Sequence, residues 1–129
     1  MCLKDARKPT KKERATITEG YKIFETRTNL VSPFYYFCFR DWESGRWFEA
    51  RNGDLDVEAD PNAGFHVLLD REDAEKLKQD MTHNGNKNIV VKHVQLRNIF
   101  YIGQPTGMGN VCHQMKDAVT CKEIKILPD

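Results

Sequence analysis

The chain has 129 residues, 40% of them apolar and 30% charged, with a net charge of +1. That length suits one hydrophobic core and leaves too little chain for two, while the apolar content is high enough to exclude wholesale disorder. The charge is unevenly placed: residues 1 to 14 carry +4 and the remainder −3, so a broad nucleic-acid footprint is not expected beyond the basic leader. No apolar run reaches the roughly 20 residues that a bilayer span needs, and no secretion-signal pattern opens the sequence. The expected compartment is the cytoplasm, with no membrane partner. There the four cysteines, Cys2, Cys38, Cys112 and Cys121, are expected as free thiols.

Residues 1–19 read as a basic, largely flexible leader, and residues 20–129 as a single domain. Tyr21 to Thr26 is a first strand, with Tyr21 and Ile23 on one face and Phe24 on the other. Pro33 cannot donate to a ladder, so the aromatic run Phe34 to Arg40 starts a second strand after it, covered on both faces. Arg46 to Arg51 resumes a short strand across the turn Asp41 to Gly45 and forms a hairpin with the preceding one. The acidic stretch from Asn52 to Asn62 is a solvated loop.

Gly64 to Asp70 (GFHVLLD) reads as a buried strand that hands over to a helix at about 71–82. Asp70 is its N-cap, Glu72 and Asp73 sit in the positively polarised first turn, Ala74, Leu77 and Met81 form one apolar stripe, and Asn84-Gly85 stops it. Asn88 to Leu96 and Ile99 to Ile102 are strands on either side of a polar kink at Arg97-Asn98. Gly103 to Asn110 (GQPTGMGN) reads as a loop. It lacks the Lys and Ser/Thr of a P-loop. Glu123 to Leu127 is the last strand. The expected fold is therefore α+β: a mixed or mainly antiparallel sheet of about five to seven strands with one main helix packed on it.

Several short pieces in fixed order carry a resemblance: the Met1-Cys2-Leu3 start, GYKIF, LVSPFYYF, GRWFEA, GFHVLLDREDAEKL and KEIKIL. Together they resemble a set of small bacterial and phage proteins for which no activity is assigned. A second likeness is to the ADP-ribosyltransferase fold, carried by Gly64-Phe65-His66-Val67 with Ala74 and by the closing Lys122-Glu123-Ile124-Lys125-Ile126. It implies an NAD-dependent transferase with Glu123 as the catalytic acid and His66 or Tyr21 near the nicotinamide.

Paired acids, nucleophile–base pairs and CxxC spacings do not stand out. Cys112, His113 and Cys121 lack the spacing of a zinc finger or ribbon, so no metal site is expected. The leading expectation is a non-enzymatic binding domain without a cofactor, with a ligand surface formed by Tyr21, Tyr36, Trp47 and His66. Its partner would be a protein or a small nucleotide-like ligand, and a phage origin would suit action on a host protein or a nucleotide signal. A third reading places the chemistry at Cys2, whose thiol would lie beside a free α-amine once Met1 is removed.

Overall fold

The computed structural model describes residues 2–26, 30–31, 44–50, 64–83, 85, 88–106 and 115–128. The β-branched run that begins at Ile89 organises them. It forms β6 (Ile89–Thr106), an 18-residue strand hydrogen-bonded to three others. Against its first half lies β2 (Glu19–Thr26), with Tyr21 opposite His93 and Ile23 opposite Val91. Against its last residues lies β1 (Cys2–Arg7), with Leu3 opposite Pro105. The other edge is taken by β7 (Ala118–Ile126), in register from Val94 with Ile126 to Gly103 with Ala118.

The remaining strands complete an antiparallel sheet. β5 (Phe65–Leu68) pairs with β7 and meets β2 at the single pair Tyr21 with Leu68. β4 (Trp47–Glu49) pairs with the last part of β7, and β3 (Leu30–Val31) with the end of β2. The order β1-β6-β2-β5-β7-β4, with β3 off β2 and β6 also paired to β7, closes β6, β2, β5 and β7 into a ring. Its interior is filled by Phe24, Phe65, Val67, Val94, Leu96, Val119, Cys121, Ile124 and Ile126. The expected α+β class, strand number and pairing sense are all present.

The main helix follows its local code. α2 (Arg71–His83) starts where Asp70 Oδ1 accepts the Glu72 N–H at 2.8 Å. Its stripe of Ala74, Leu77 and Met81 is buried against Ile23, Leu68, Ile89 and Ala118, on the outer side of the ring. Gly85, at φ 98, follows its end.

Three expectations need correction. Residues 1–19 carry two elements of the fold, β1 and a short helix α1 (Lys11–Thr16). The helix is nucleated by a capping box in which Thr10 Oγ1 accepts the Glu13 N–H while Glu13 Oε1 accepts the Thr10 N–H. Arg7 then clamps the Glu13 carboxylate at 2.7 and 2.8 Å. The first half of the GQPTGMGN segment is strand, because β1 lies against it and Gly103 permits the approach: a Cβ there would stand 2.8 Å from the Lys4 carbonyl oxygen. The polar kink at Arg97-Asn98 interrupts no strand, since Asn98 turns the chain at φ 59 inside β6. The expected strand Phe34 to Arg40 and its hairpin turn, the acidic loop, Asn84, residues 107–110, Cys112 and His113 lie outside the described residues.

Candidate anion-binding cleft

The bend in β6 builds a concave site. Arg97 and Asn98 are exposed in succession between buried Leu96 and Ile99, and on β7 Lys122 and Glu123 likewise separate buried Cys121 from Ile124. Beyond the bend an extra residue enters β6 between Ile99 and Tyr101, a bulge that re-aims Phe100. That ring finds room because Gly64, at φ 87, has no side chain: a Cβ would stand 3.1 Å from it.

The N-terminal elements supply a wall. α1 packs on β6, and Arg14 Nη1 donates to the Ile99 carbonyl at 3.3 Å. The resulting cavity of about 430 Å³ is lined by Lys8, Arg14, Asn98, Ile99, Phe100, Tyr101 and Lys122. Among the described residues three cations and no carboxylate line it. Lys8 is exposed and has no partner among the described residues. The Lys122 ammonium lies 3.3 Å from Glu49, with both side chains about half exposed, so water weakens that pair.

Glu123 borders the cleft with its carboxylate already engaged. It accepts from Arg97 Nε at 2.7 Å and Nη2 at 3.3 Å and from Asn98 Nδ2 at 2.7 Å. The hydrogen-bonded Arg97 guanidinium, first, and the Asn98 amide hold it below the usual carboxylate range. It is an ionised group that braces the bend.

A second polar cluster is buried. Lys22, 1% exposed, projects from β2 into the ring, where its ammonium donates to the His66 carbonyl at 3.2 Å and lies 5.8 and 5.9 Å from the Phe24 and Phe65 ring centres. Burial pulls its pKa down to about 8. The Cys121 thiol in the same interior is pushed up to about 12, again by burial. On the outer face His66 stands opposite Thr120. Both are buried, and among the described residues neither ring nitrogen nor the hydroxyl has a hydrogen-bond partner. Burial first, and then the charge of Lys22, lowers the imidazole to about 3. It is therefore neutral at ordinary pH.

The residues expected to form the ligand surface are placed apart. Tyr21 stacks on His93 at 5.0 Å and packs beside the α2 cluster. Trp47, on β4, lies under the Arg97 guanidinium at 3.9 Å and the Lys125 ammonium at 5.1 Å. His66 is buried on the outer face of the ring, Tyr36 lies outside the described residues, and Tyr21, Trp47 and His66 line neither this cavity nor the smaller one beside it. Cys2 pairs with Thr106 through its backbone, and its side chain is not among those described. Among the described residues no group of three or more His, Cys, Asp or Glu side chains is placed to hold a metal ion, and no helix is long and apolar enough to cross a membrane.

Sequence reasoning missed Lys8, Arg14, Asn98 and Lys122. One signal was present: Thr10-Lys11-Lys12-Glu13 is a capping-box pattern that announces α1 and hence a folded place for Arg14. No protein-family model, curated protein or solved structure matches the chain.

Proposed function

We propose that this domain binds a phosphorylated, nucleotide-like ligand in the cleft beside the bend of β6. The observation that carries the reading is a cavity the size of a small-ligand site, walled by Lys8, Arg14 and Lys122 with no carboxylate among the described lining residues, and flanked by the half-buried rings of Phe100 and Tyr101. Lys8 offers an unneutralised ammonium to a phosphoryl group. Arg14 spends one donor on the Ile99 carbonyl and keeps the rest of its fork for a charge-assisted contact. The two rings give a base a surface on which to stack.

Calorimetric titration with AMP, ADP and adenosine tests it. The phosphorylated ligands are expected to bind at least tenfold more tightly than adenosine, and the pair Lys8→Gln with Lys122→Gln to remove most of that difference. Equal binding of adenosine, or no binding of any of the three, would overturn it.

The place of an ionised Glu123 at the cleft border favours one second reading, an NAD-dependent transferase in which that carboxylate supports a ribose cation. It predicts nicotinamide release from NAD and its loss in Glu123→Gln. Bound but unconsumed NAD would leave the binding reading standing and remove the enzyme.

A further inference from the structure

A smaller cavity of about 270 Å³ continues the cleft along β6, lined by Arg14, Ile17, Thr18, Leu96, Arg97, Asn98 and Ile99. Arg14, Asn98 and Ile99 line both, so the two spaces adjoin as one groove. We infer that this groove takes a single-stranded nucleic acid of two or more nucleotides, with the cleft above as the site of its first nucleotide. The inference rests on that cleft being a phosphate site and extends it to a polymeric ligand.

The groove follows β6 from Tyr101 to Leu96, about 15 Å at the rise of a strand. A mononucleotide would occupy the larger cavity alone. Cations are spaced along the whole length: Lys8 and Lys122 at one end, Arg14 at the middle and Arg97 at the other end. Arg97 uses Nε and Nη2 on Glu123, and among the described residues Nη1 of its five-donor fork has no acceptor, so it can meet a second phosphate. Between the cations the wall carries the apolar Ile17, Leu96 and Ile99 beside the polar Thr18 and Asn98. Alternating phosphate contacts and apolar or aromatic surface suit the alternating phosphate and base of a single strand. An acidic peptide would use the cations and leave the apolar wall unfilled. The cations also come from both parts of the chain, Lys8 and Arg14 from the basic leader and Arg97 and Lys122 from the acidic remainder, so net charge by region hides the site.

Fluorescence anisotropy with labelled oligothymidylates of one to six nucleotides, at several salt concentrations, tests the inference. Affinity is expected to rise at least tenfold from one nucleotide to three and then to level off, with a salt slope that steepens as phosphates are added. Thr18→Glu places a negative charge at the far end of the groove and is expected to abolish the gain with length while leaving mononucleotide affinity as it was. Arg97→Gln should also lose the gain with length, and circular dichroism of both variants checks that the sheet is intact. A mononucleotide that binds while the trimer binds no tighter overturns the groove and leaves the nucleotide site; absence of both removes the two together. A poly-aspartate peptide that binds as tightly as the trimer, or a Thr18→Glu variant that keeps the full gain with length, also overturns the inference.

Discussion

Lys22 and Lys8 are the same residue in opposite settings. Lys22 has its ammonium buried in the ring with one carbonyl and two aromatic rings for company, and Lys8 holds its ammonium exposed in an open cleft beside other cations. Burial makes the first charge a burden on the fold, because a desolvated cation regains little from one neutral acceptor. Water makes the second nearly costless to stability and free to meet an anion. A lysine that works for the fold and a lysine that works for a ligand are thus distinguished by solvent, and the two should respond oppositely to mutation and to pH.

The largest contrast is at Lys22. Its pKa is depressed in the folded chain, so the unfolded chain binds more protons between pH 8 and 10.5 and stability rises with pH there, by about 1.4 kcal/mol per unit. Cys121 acts in the other direction from pH 9, where an unfolded thiol ionises and the buried one does not. Denaturation at stepped pH is expected to show a rise from 8 to 9, then a plateau to about 10.5, and a fall above it. Lys22→Met should remove the rise and add about 3 kcal/mol at pH 7. A variant less stable than the parent would show that the ammonium has a stronger partner in solution.

Thr120 sharpens the comparison from the outer face of the ring. Its buried hydroxyl has no partner among the described residues, and Thr120→Val keeps the shape while removing that polar group, so a gain of about 1 kcal/mol is expected in urea titration. A loss would reveal a bound partner for the hydroxyl. At the small end, Lys8→Gln and Lys122→Gln should shift the unfolding midpoint by no more than about 0.5 kcal/mol while weakening the ligand. A large loss of stability there would make the cleft lysines structural and erase the distinction.

What the sequence made legible is local. Asp70, the acidic first turn and the Ala74, Leu77, Met81 stripe lie within a dozen residues of one another and report α2 directly, and the apolar run at 65–68 reports β5. The alternation of Tyr21, Ile23 and Phe24 correctly separates the two faces of β2. It does not reveal that Lys22 shares the face of Phe24 inside a ring, since a charged residue in an alternating strand normally faces water. The cleft was illegible for a different reason: Lys8 and Arg14 meet Asn98 and Lys122 only because β1 adds to β6 some hundred residues away, and local periodicity carries no such register. The leader's charge and lack of periodicity suggested a flexible tail. Its capping box and the apolar Leu3, 8% exposed, told of order.

The ring that encloses Lys22 is joined between β2 and β5 by one residue pair, Tyr21 with Leu68, whereas β7 is zipped to β6 from Ala118 to Ile126, its whole length. A closure held at one point is where transient opening costs least. Lys22 is the next residue after Tyr21, and the carbonyl it holds belongs to the strand on the other side of that joint. Opening of this seam is the expected route by which the amine meets water, and exchange of its protons faster than global unfolding would report local breathing of the barrel.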